Sequence, residues 1–283
     1  MCSIFTRILK GQIIVGRNFD WIQLGGNLHF IPPTRLYGLT TYGLCLIEQL
    51  GCDRPFEGIN SQGLFIGMAG IHTDDFPARQ HDNYPLQLDE FGAIRFVLER
   101  ASTTQEAMAI LDQVDIVDHG VEPHIRLQYL IVDQQGEVCI IAGQEKTPLM
   151  KLDAIPFAAI TNFPLSLSGA ILCDRFVRLQ HDLPTLTDVN EAIALIEAVS
   201  QQSTVYSCLY SLTQKTFSLW IERAFQTSLR FSLNQETAQG HQFYNFGQLK
   251  LMSPEHQDRF KTTPYEVQQG FSSSPDLAPK SAV

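Results

Sequence analysis

Cys2 is the residue whose type and position most directly suggest a catalytic role. If Met1 is removed, Cys2 carries both its thiol and a free α-amine on a single Cα. An α-amine titrates at about pH 7.7–8.0 and a free thiol at about pH 8.5, so this amine can accept the thiol proton near neutral pH without a histidine. Position alone leaves a second interpretation, a terminal cysteine with no role, because chain ends are often poorly ordered.

The residues that follow predict a rigid support for this cysteine. Residues 2–8 are apolar and β-branched, Lys10 and Gly11 can turn the chain, and residues 12–21 have the character of a second strand. Two such runs joined by a glycine-containing turn are typical of a β-hairpin. We therefore expect the start of the chain to be built into a sheet.

Two charged residues near the end of the second strand, Arg17 and Asp20, are candidates for tuning Cys2. A guanidinium close to a thiol favours the thiolate, and a carboxylate close to an α-amine can orient it. The alternative is an exposed ion pair at the strand end, which contributes less than about 1 kcal/mol to stability. The residues by themselves leave both interpretations open.

Cys2 together with GRNFDW at residues 16–21 resembles the choloylglycine hydrolase family. This family contains bile salt hydrolases, penicillin V acylases and related amidases with an N-terminal nucleophile. Further matches follow in the same order: GINSQGL at 58–64, TNFP at 161–164, Arg175 within DRFVR at 174–178, and YSC at 206–208. Each motif is short and weak alone, but their shared order over residues 2 to about 235 is strong evidence.

The resemblance implies an α+β fold, a four-layer αββα sandwich of two antiparallel sheets flanked by helices. It also implies hydrolysis of a linear amide through a thioester on Cys2, without a cofactor. Arg17 would stabilise the thiolate or seat the substrate, and Asp20 would hold the α-amine. Asn162 would donate from Nδ2 to the oxyanion, and Arg175 would brace Cys2 and its neighbours. Without the resemblance, Asn162 suits an ordinary turn and Arg175 a solvated helix face.

The sequence also departs from the family. Gly70 stands where the bile salt and penicillin enzymes have a polar or aromatic residue serving the oxyanion hole, so a backbone amide of Gly70 or Ile71 would have to substitute. Only residues 163–174 separate Asn162 from Arg175, whereas those relatives have a much longer insertion that helps to lock tetramers. A homo-oligomer is therefore possible, but the same assembly is not implied.

Composition narrows the class of protein. The chain has 283 residues, 44% of them hydrophobic, enough for a large core. Its net charge of −10 disfavours a nucleic-acid partner. The sequence has no apolar stretch of about 18–20 residues and no signal peptide, so we expect a cytoplasmic protein without a membrane span. Six cysteines without a CxxC pair predict reduced thiols and no metal site.

Periodicity predicts mixed strands and helices. Strand-like runs occur at residues 39–47, 63–71, 128–132, 138–142, 157–160, 205–212 and 217–222, and helical patterns at residues 88–100, 104–113, 171–181 and 190–201. Thr103 with Glu106, and Asp188 with Glu191, predict N-terminal helix caps. We expect one domain over residues 1–250 and a polar, flexible tail over residues 251–283.

The substrate is predicted only by class, a small-molecule amide with an apolar acyl group. Loops around residues 21–29 and 72–84 are expected to form the acyl pocket. Its candidate apolar residues are Trp21, Ile22, Leu24, Phe30, Phe65, Ile71 and Phe76, most of which would alternatively pack in the core. Two other functions stay open: an acyltransferase that passes the acyl group to an amine or thiol, and an inactive binding protein on the same fold.

Overall fold

Two antiparallel sheets form the centre of the molecule. The computed structural model describes residues 2–22, 25–36, 38–49, 54–72, 86–117, 125–143, 145–163, 173–226 and 228–252. The strands are β1 (Ser3–Leu9), β2 (Gln12–Asp20), β3 (Asn27–Ile31), β4 (Arg35–Leu36), β5 (Leu39–Thr40), β6 (Leu44–Glu48), β7 (Pro55–Asn60), β8 (Phe65–His72), β9 (Leu86–Asp89), β10 (Val114–Val117), β11 (Ile125–Val132), β12 (Glu137–Ala142), β13 (Glu145–Lys146), β14 (Met150–Lys151), β15 (Ala158–Ile160), β16 (Thr204–Ser211), β17 (Thr216–Ile221), β18 (Leu229–Ser232) and β19 (Gln242–Asn245).

The helices are α1 (Glu90–Arg100), α2 (Thr104–Leu111), α3 (Asp174–Asp182), α4 (Val189–Ala198), α5 (Leu233–Ala238) and α6 (Phe246–Met252), with a short 3₁₀ turn at Leu183–Thr185. The first sheet has the order β15-β1-β2-β16-β17-β18. The second has the order β13-β12-β11-β8-β7-β6-β3-β19, with β14 also paired to β12. Helices α1 and α2 pack on the second sheet, and α3 and α4 pack on the first. The predicted four-layer αββα architecture is confirmed.

The strands alternate their side chains between two cores. Ile4 and Phe19 of the first sheet join Phe30 and Phe65 of the second in the large cluster between the sheets. Phe5, from the opposite face of β1, joins a smaller cluster beneath α3 and α4. This period of two follows from the pleat of a strand. It also means that Phe30 and Phe65, predicted as pocket residues, are instead fully buried core residues.

The predicted N-terminal hairpin is confirmed. Strands β1 and β2 pair antiparallel, with Leu9 opposite Gln12. Lys10 and Gly11 between them have φ of 49° and 76°. Positive φ at both central residues is the requirement of the tight turn whose twist matches a hairpin, and glycine meets it without steric cost. Both predicted caps are also present, because Thr103 accepts from the Glu106 amide and Asp188 from the Glu191 amide.

Several element boundaries differ from the prediction. The strand expected at 39–47 is divided into β5 and β6, because Thr41 and Tyr42 donate their amides to Thr34 and Glu99 outside the sheet ladder. Helix α3 begins at Asp174, and residues 171–172 of its predicted range lie outside the described part of the chain. Residues 73–84 of the expected pocket loop and 253–283 of the expected tail also lie outside it, whereas residues 251–252 belong to α6. Among the described helices, none is both long and apolar enough to cross a membrane.

Candidate active site

Cys2 lies immediately before β1 at the inner face of the first sheet. It is 7% exposed and belongs to the cluster between the two sheets. In the hairpin, Ile4 is the cross-strand partner of Arg17. Since side chains two residues apart share a face of the sheet, Cys2 and Arg17 point to the same side.

Asn162 binds the main-chain nitrogen of Cys2. The Cys2 N–H donates to Asn162 Oδ1 at 2.5 Å, and Arg175 Nη2 donates to the same oxygen at 2.9 Å. On its other side, Asn162 Nδ2 donates to the Gly70 carbonyl at 2.6 Å. Because two donors face Oδ1 and an acceptor faces Nδ2, the orientation of this amide is determined by its neighbours. One of the two Nδ2 hydrogens is engaged with Gly70, and the group has a second.

Arg175 lies on the first turn of α3 and reaches across to Cys2. Its Nη1 donates to the Cys2 carbonyl at 2.5 Å and lies 3.8 Å from Asp20 Oδ2. Arg175 is 9% exposed, so the solvated helix face that periodicity alone suggested is wrong for this residue. That interpretation fits Arg178, three residues along the same helix, whose side chain is 56% exposed.

Asp20 lies at the end of β2, on the opposite face of the strand from Arg17. The Thr204 hydroxyl donates to Asp20 Oδ1. Burial raises the pKa of the Asp20 carboxyl, and the Thr204 hydroxyl and the Arg175 and Arg17 guanidinium groups oppose that shift. The carboxylate is therefore held in a desolvated position beside Arg175, a cation that itself contacts Cys2.

Arg17 makes a fully buried ion pair between the two sheets. Its Nε lies 2.6 Å from Glu57 Oε2 on β7, and both side chains are 0% exposed. Burial tends to lower the pKa of Arg17, but Cys2 and Glu57 raise it above its ordinary value. Burial also raises the pKa of the Glu57 carboxyl, against Arg17 and the Tyr210 hydroxyl. Both pKa values are therefore raised, which favours the charged guanidinium and works against the charged carboxylate, and the short contact favours the ionised pair. The exposed strand-end pair considered for Arg17 is wrong.

Three residues that support the site were not predicted from the sequence. Glu57 is one, and Thr204, the donor to Asp20, is another. The third is Gln128, whose Nε2 donates to the carbonyls of Thr161 at 2.6 Å and Phe163 at 3.3 Å, on either side of Asn162. The one available signal was a glutamate inside the apolar run FEGI at residues 56–59, because a buried charge requires a partner.

The predicted substrate-binding residues have different surroundings. Gly70 is partly exposed, and its carbonyl holds Asn162. The Ile71 side chain is 0% exposed, so only its main chain is available for the predicted contact. Trp21 is partly buried, with its ring centroid 5.8 Å from that of Phe19 and 5.8 Å from that of Phe56. Across the described part of the chain, no group of three or more His, Cys, Asp or Glu side chains is arranged to hold a metal ion.

Comparison with known proteins identifies the family. Residues 2–165 match the linear amide C–N hydrolases, choloylglycine hydrolase family. The chain belongs to this family. As a choloylglycine hydrolase family member it is a hydrolase acting on carbon–nitrogen bonds. The matched range includes Cys2, Arg17, Asp20 and Asn162, whereas Arg175 lies beyond it. A search of the curated proteins gave no match.

Solved structures share the fold of this family member. A mutant conjugated bile acid hydrolase from Clostridium perfringens has a TM-score of 0.64 at 17% identity, covering 87% of this chain and 96% of its own. Penicillin V acylase from Agrobacterium tumefaciens has a TM-score of 0.58 at 17% identity, covering 82% and 85%. The Caenorhabditis elegans ortholog of N-acylethanolamine-hydrolyzing acid amidase has a TM-score of 0.53 at 17% identity, covering 75% and 93%. At these identities the likeness concerns the fold.

Proposed function

We propose that Cys2, once freed of Met1, is the nucleophile of an amidohydrolase that forms a thioester with an apolar acyl group. The observation that carries the proposal is the 2.5 Å hydrogen bond from the Cys2 nitrogen to Asn162 Oδ1. In the processed chain this nitrogen is the α-amine that serves as the base. A neutral oxygen acceptor orients the amine and leaves its lone pair free to take a proton.

The reaction proceeds in two steps on the same atoms. The Cys2 sulfur attacks the amide carbonyl carbon while the α-amine takes the thiol proton and passes it to the leaving nitrogen, so the C–N bond breaks and a thioester remains. A water molecule then gives one proton to the amine and attacks the thioester carbon. The C–S bond breaks, the sulfur recovers the proton, and a carboxylic acid leaves.

The surrounding residues have separate roles. The second Nδ2 hydrogen of Asn162 is a donor for the oxyanion, and preorganised donors of this kind contribute about 10²–10³ each in rate. A backbone amide of Gly70 or Ile71 supplies the second donor. Arg175 holds the Cys2 carbonyl and Asn162 in register and places a cation beside Asp20. Arg17 favours the thiolate from the inner face.

The proposed substrate is a linear amide with an apolar acyl chain, of the kinds cleaved by penicillin V acylases, bile salt hydrolases or N-acyl-homoserine lactone acylases. One aromatic ring supports this choice: Trp21 is only partly buried, follows Asp20 at the end of β2, and packs on the buried rings of Phe19 and Phe56. Such rings bind apolar groups by area and by edge-to-face contacts. We expect activity to vary with acyl size more than with the leaving amine.

The test combines intact mass with turnover. We expect the purified chain to lack Met1, and incubation with penicillin V and a series of N-acyl-homoserine lactones to release the acid from at least one compound. Cys2→Ala should abolish turnover, whereas Cys45→Ala, which removes a buried core thiol on β6, should retain it. A chain that keeps Met1 and yet hydrolyses these amides, or full activity in Cys2→Ala, would contradict the proposal.

A further inference from the structure

The Arg17–Glu57 pair joins the two sheets at the level of Cys2. Arg17 comes from β2 of the first sheet and Glu57 from β7 of the second, and the cluster around them is largely apolar. Tyr210 completes the arrangement, because its hydroxyl donates to Glu57 Oε1 at 2.6 Å while Arg17 occupies Oε2. Desolvating two charges is costly, and apolar residues of similar volume are often at least as stable in such a position.

Arg17 contacts Glu57 on the second sheet and shares one face of the hairpin with Cys2. Cys2 and Glu57 are both among the groups that raise the pKa of Arg17 against the effect of burial. A long arginine side chain in an apolar cavity would have several rotamers without a fixed partner. The ion pair between Nε and Oε2 restricts that choice, because it holds the guanidinium next to Glu57.

We propose that Glu57 is a positioning residue for amide hydrolysis, fixing through Arg17 both the place and the strength of the positive charge that meets the Cys2 sulfur. This inference rests on the Cys2 nucleophile of the proposed function. Glu57 itself touches neither sulfur nor substrate in this role. It acts as the counter-charge that keeps Arg17 from making the thiolate too stable, and Tyr210 keeps the counter-charge in place.

The chemical reason is the balance between thiolate population and nucleophilicity. A cation lowers the pKa of a nearby thiol, but a thiolate of lower pKa is also a weaker nucleophile. Removing the negative charge of Glu57 while keeping its shape strengthens the field of Arg17 at Cys2. The other ionisable groups facing this pair are Tyr206 and Tyr210 and the thiols of Cys45 and Cys208, and burial raises the pKa of each of the four. They therefore remain neutral near pH 7.

The principal test is Glu57→Gln, with two readouts that a merely structural role would not move together. The first is the pH dependence of Cys2 alkylation by iodoacetamide, followed by mass spectrometry. The midpoint is expected to fall by about one pH unit, the usual size of the effect of one nearby charge. The second is the division between kcat and KM, in which kcat falls about 10- to 100-fold through misplacement of the charge and KM changes little.

The matched control is Glu48→Gln. Glu48 is also a buried glutamate of the second sheet, on the adjacent strand β6, and it accepts from Asn27 and lies 3.7 Å from His29 rather than near Arg17. It should leave the alkylation midpoint and kcat unchanged. If Glu57→Gln folds and alters neither quantity, the inference is overturned. If wild-type Cys2 is not alkylated at all while other thiols are, the proposed function itself fails.

A second set of variants keeps the inference testable should Glu57→Gln fail to fold. Arg17→Met with Glu57→Leu removes both charges at once, which leaves no unpaired ion in the core. Because Glu57 acts through Arg17, this double variant should have the same kcat as Arg17→Met alone, within about twofold. A further loss of about tenfold on adding Glu57→Leu would show an independent action of Glu57 and overturn the inference.

Discussion

Asn162 Oδ1 accepts a hydrogen bond from the main-chain nitrogen of Cys2 at 2.5 Å across 160 residues of sequence. The same oxygen accepts from Arg175, and the other end of the amide is anchored on Gly70. One side chain therefore connects the N-terminal strand, helix α3 and the end of β8. It orients the nitrogen of Cys2 through one atom and offers a donor through the other.

Asn162→Asp separates these two functions. The aspartate keeps an oxygen for the Cys2 nitrogen and Arg175 but loses the Nδ2 donor, and its second oxygen faces the Gly70 carbonyl. We expect kcat to fall about 10²–10³-fold, the usual loss for one oxyanion donor. Steady-state kinetics on the best amide found in the acyl series measures this, with circular dichroism to verify the fold. A kcat within about threefold of wild type would remove Asn162 from the oxyanion hole.

Arg175→Lys tests the two-point contact of the guanidinium. Arg175 reaches the Cys2 carbonyl with Nη1 and Asn162 Oδ1 with Nη2. A lysine keeps the positive charge but has one nitrogen in place of the two that make these contacts, so we expect one of the two contacts to be lost. We expect kcat to decrease by about tenfold or more.

Arg178→Lys is the control for Arg175→Lys. Arg178 lies on the same helix, is largely exposed, and pairs with Asp182 four residues along. An exposed pair of this kind contributes little to stability, so activity should be unchanged. Equal losses of kcat in the two variants would mean that Arg175→Lys reduces activity by disturbing helix α3 and not by losing the contacts with Cys2 and Asn162.

Asp20→Asn should increase stability at neutral pH while reducing activity. Burial raises the pKa of Asp20 above its ordinary value of 3.8, so the folded chain binds this proton more tightly than the unfolded chain. As the pH rises from below 3.8 through the folded pKa, the wild type loses stability relative to the asparagine variant, which does not titrate. We therefore expect a higher Tm for Asp20→Asn at pH 7, and a difference that shrinks toward pH 4.

Thermal unfolding of both proteins from pH 4 to pH 8 provides the measurement. A difference in Tm that is constant across this range would contradict the shift, because a group that titrates only in the wild type must change the difference. A higher Tm in the wild type at pH 7 would show that the hydrogen bond from Thr204 and the charge of Arg175 outweigh the cost of burial. Activity should fall in either case, since desolvated charges of this kind are retained for function at some cost in stability.

Gly16→Ala tests the packing beneath the N-terminal hairpin. Gly16 lies opposite Phe5 in the hairpin, and a Cβ at this position would lie 2.2 Å from Phe5 Cζ. The ring covers the glycine, so the alanine must displace it from the cluster under α3 and α4. Overpacking of this kind typically costs about 1–3 kcal/mol, measurable by urea unfolding. Adding Phe5→Leu should recover part of the loss, and a double variant no more stable than the sum of the two single changes would refute this packing.

Local chemistry explains which parts of the fold were predictable. The hairpin followed from apolar runs around Lys10 and Gly11, and the caps at Thr103 and Asp188 from oxygen-bearing side chains before helical patterns. Signals of this kind act within a few residues. Strands β3, β4, β7, β9, β10, β13, β14, β18 and β19 escaped prediction, because each has only two to six residues and takes its place by pairing with another strand rather than from a local signal.

The sequence by itself determined the family, the fold class and the set of candidate residues, because an N-terminal cysteine, a hairpin and an ordered series of motifs are properties of the chain read in one dimension. Only the tertiary structure decided which partner each charge has. Arg17 and Asp20 are three residues apart, and the strand period sends them to opposite faces, one toward Glu57 and the other toward Thr204 and Arg175. Periodicity predicts on which face of a strand a side chain lies. Which residues pack against that face depends on the other sheet and on the helices.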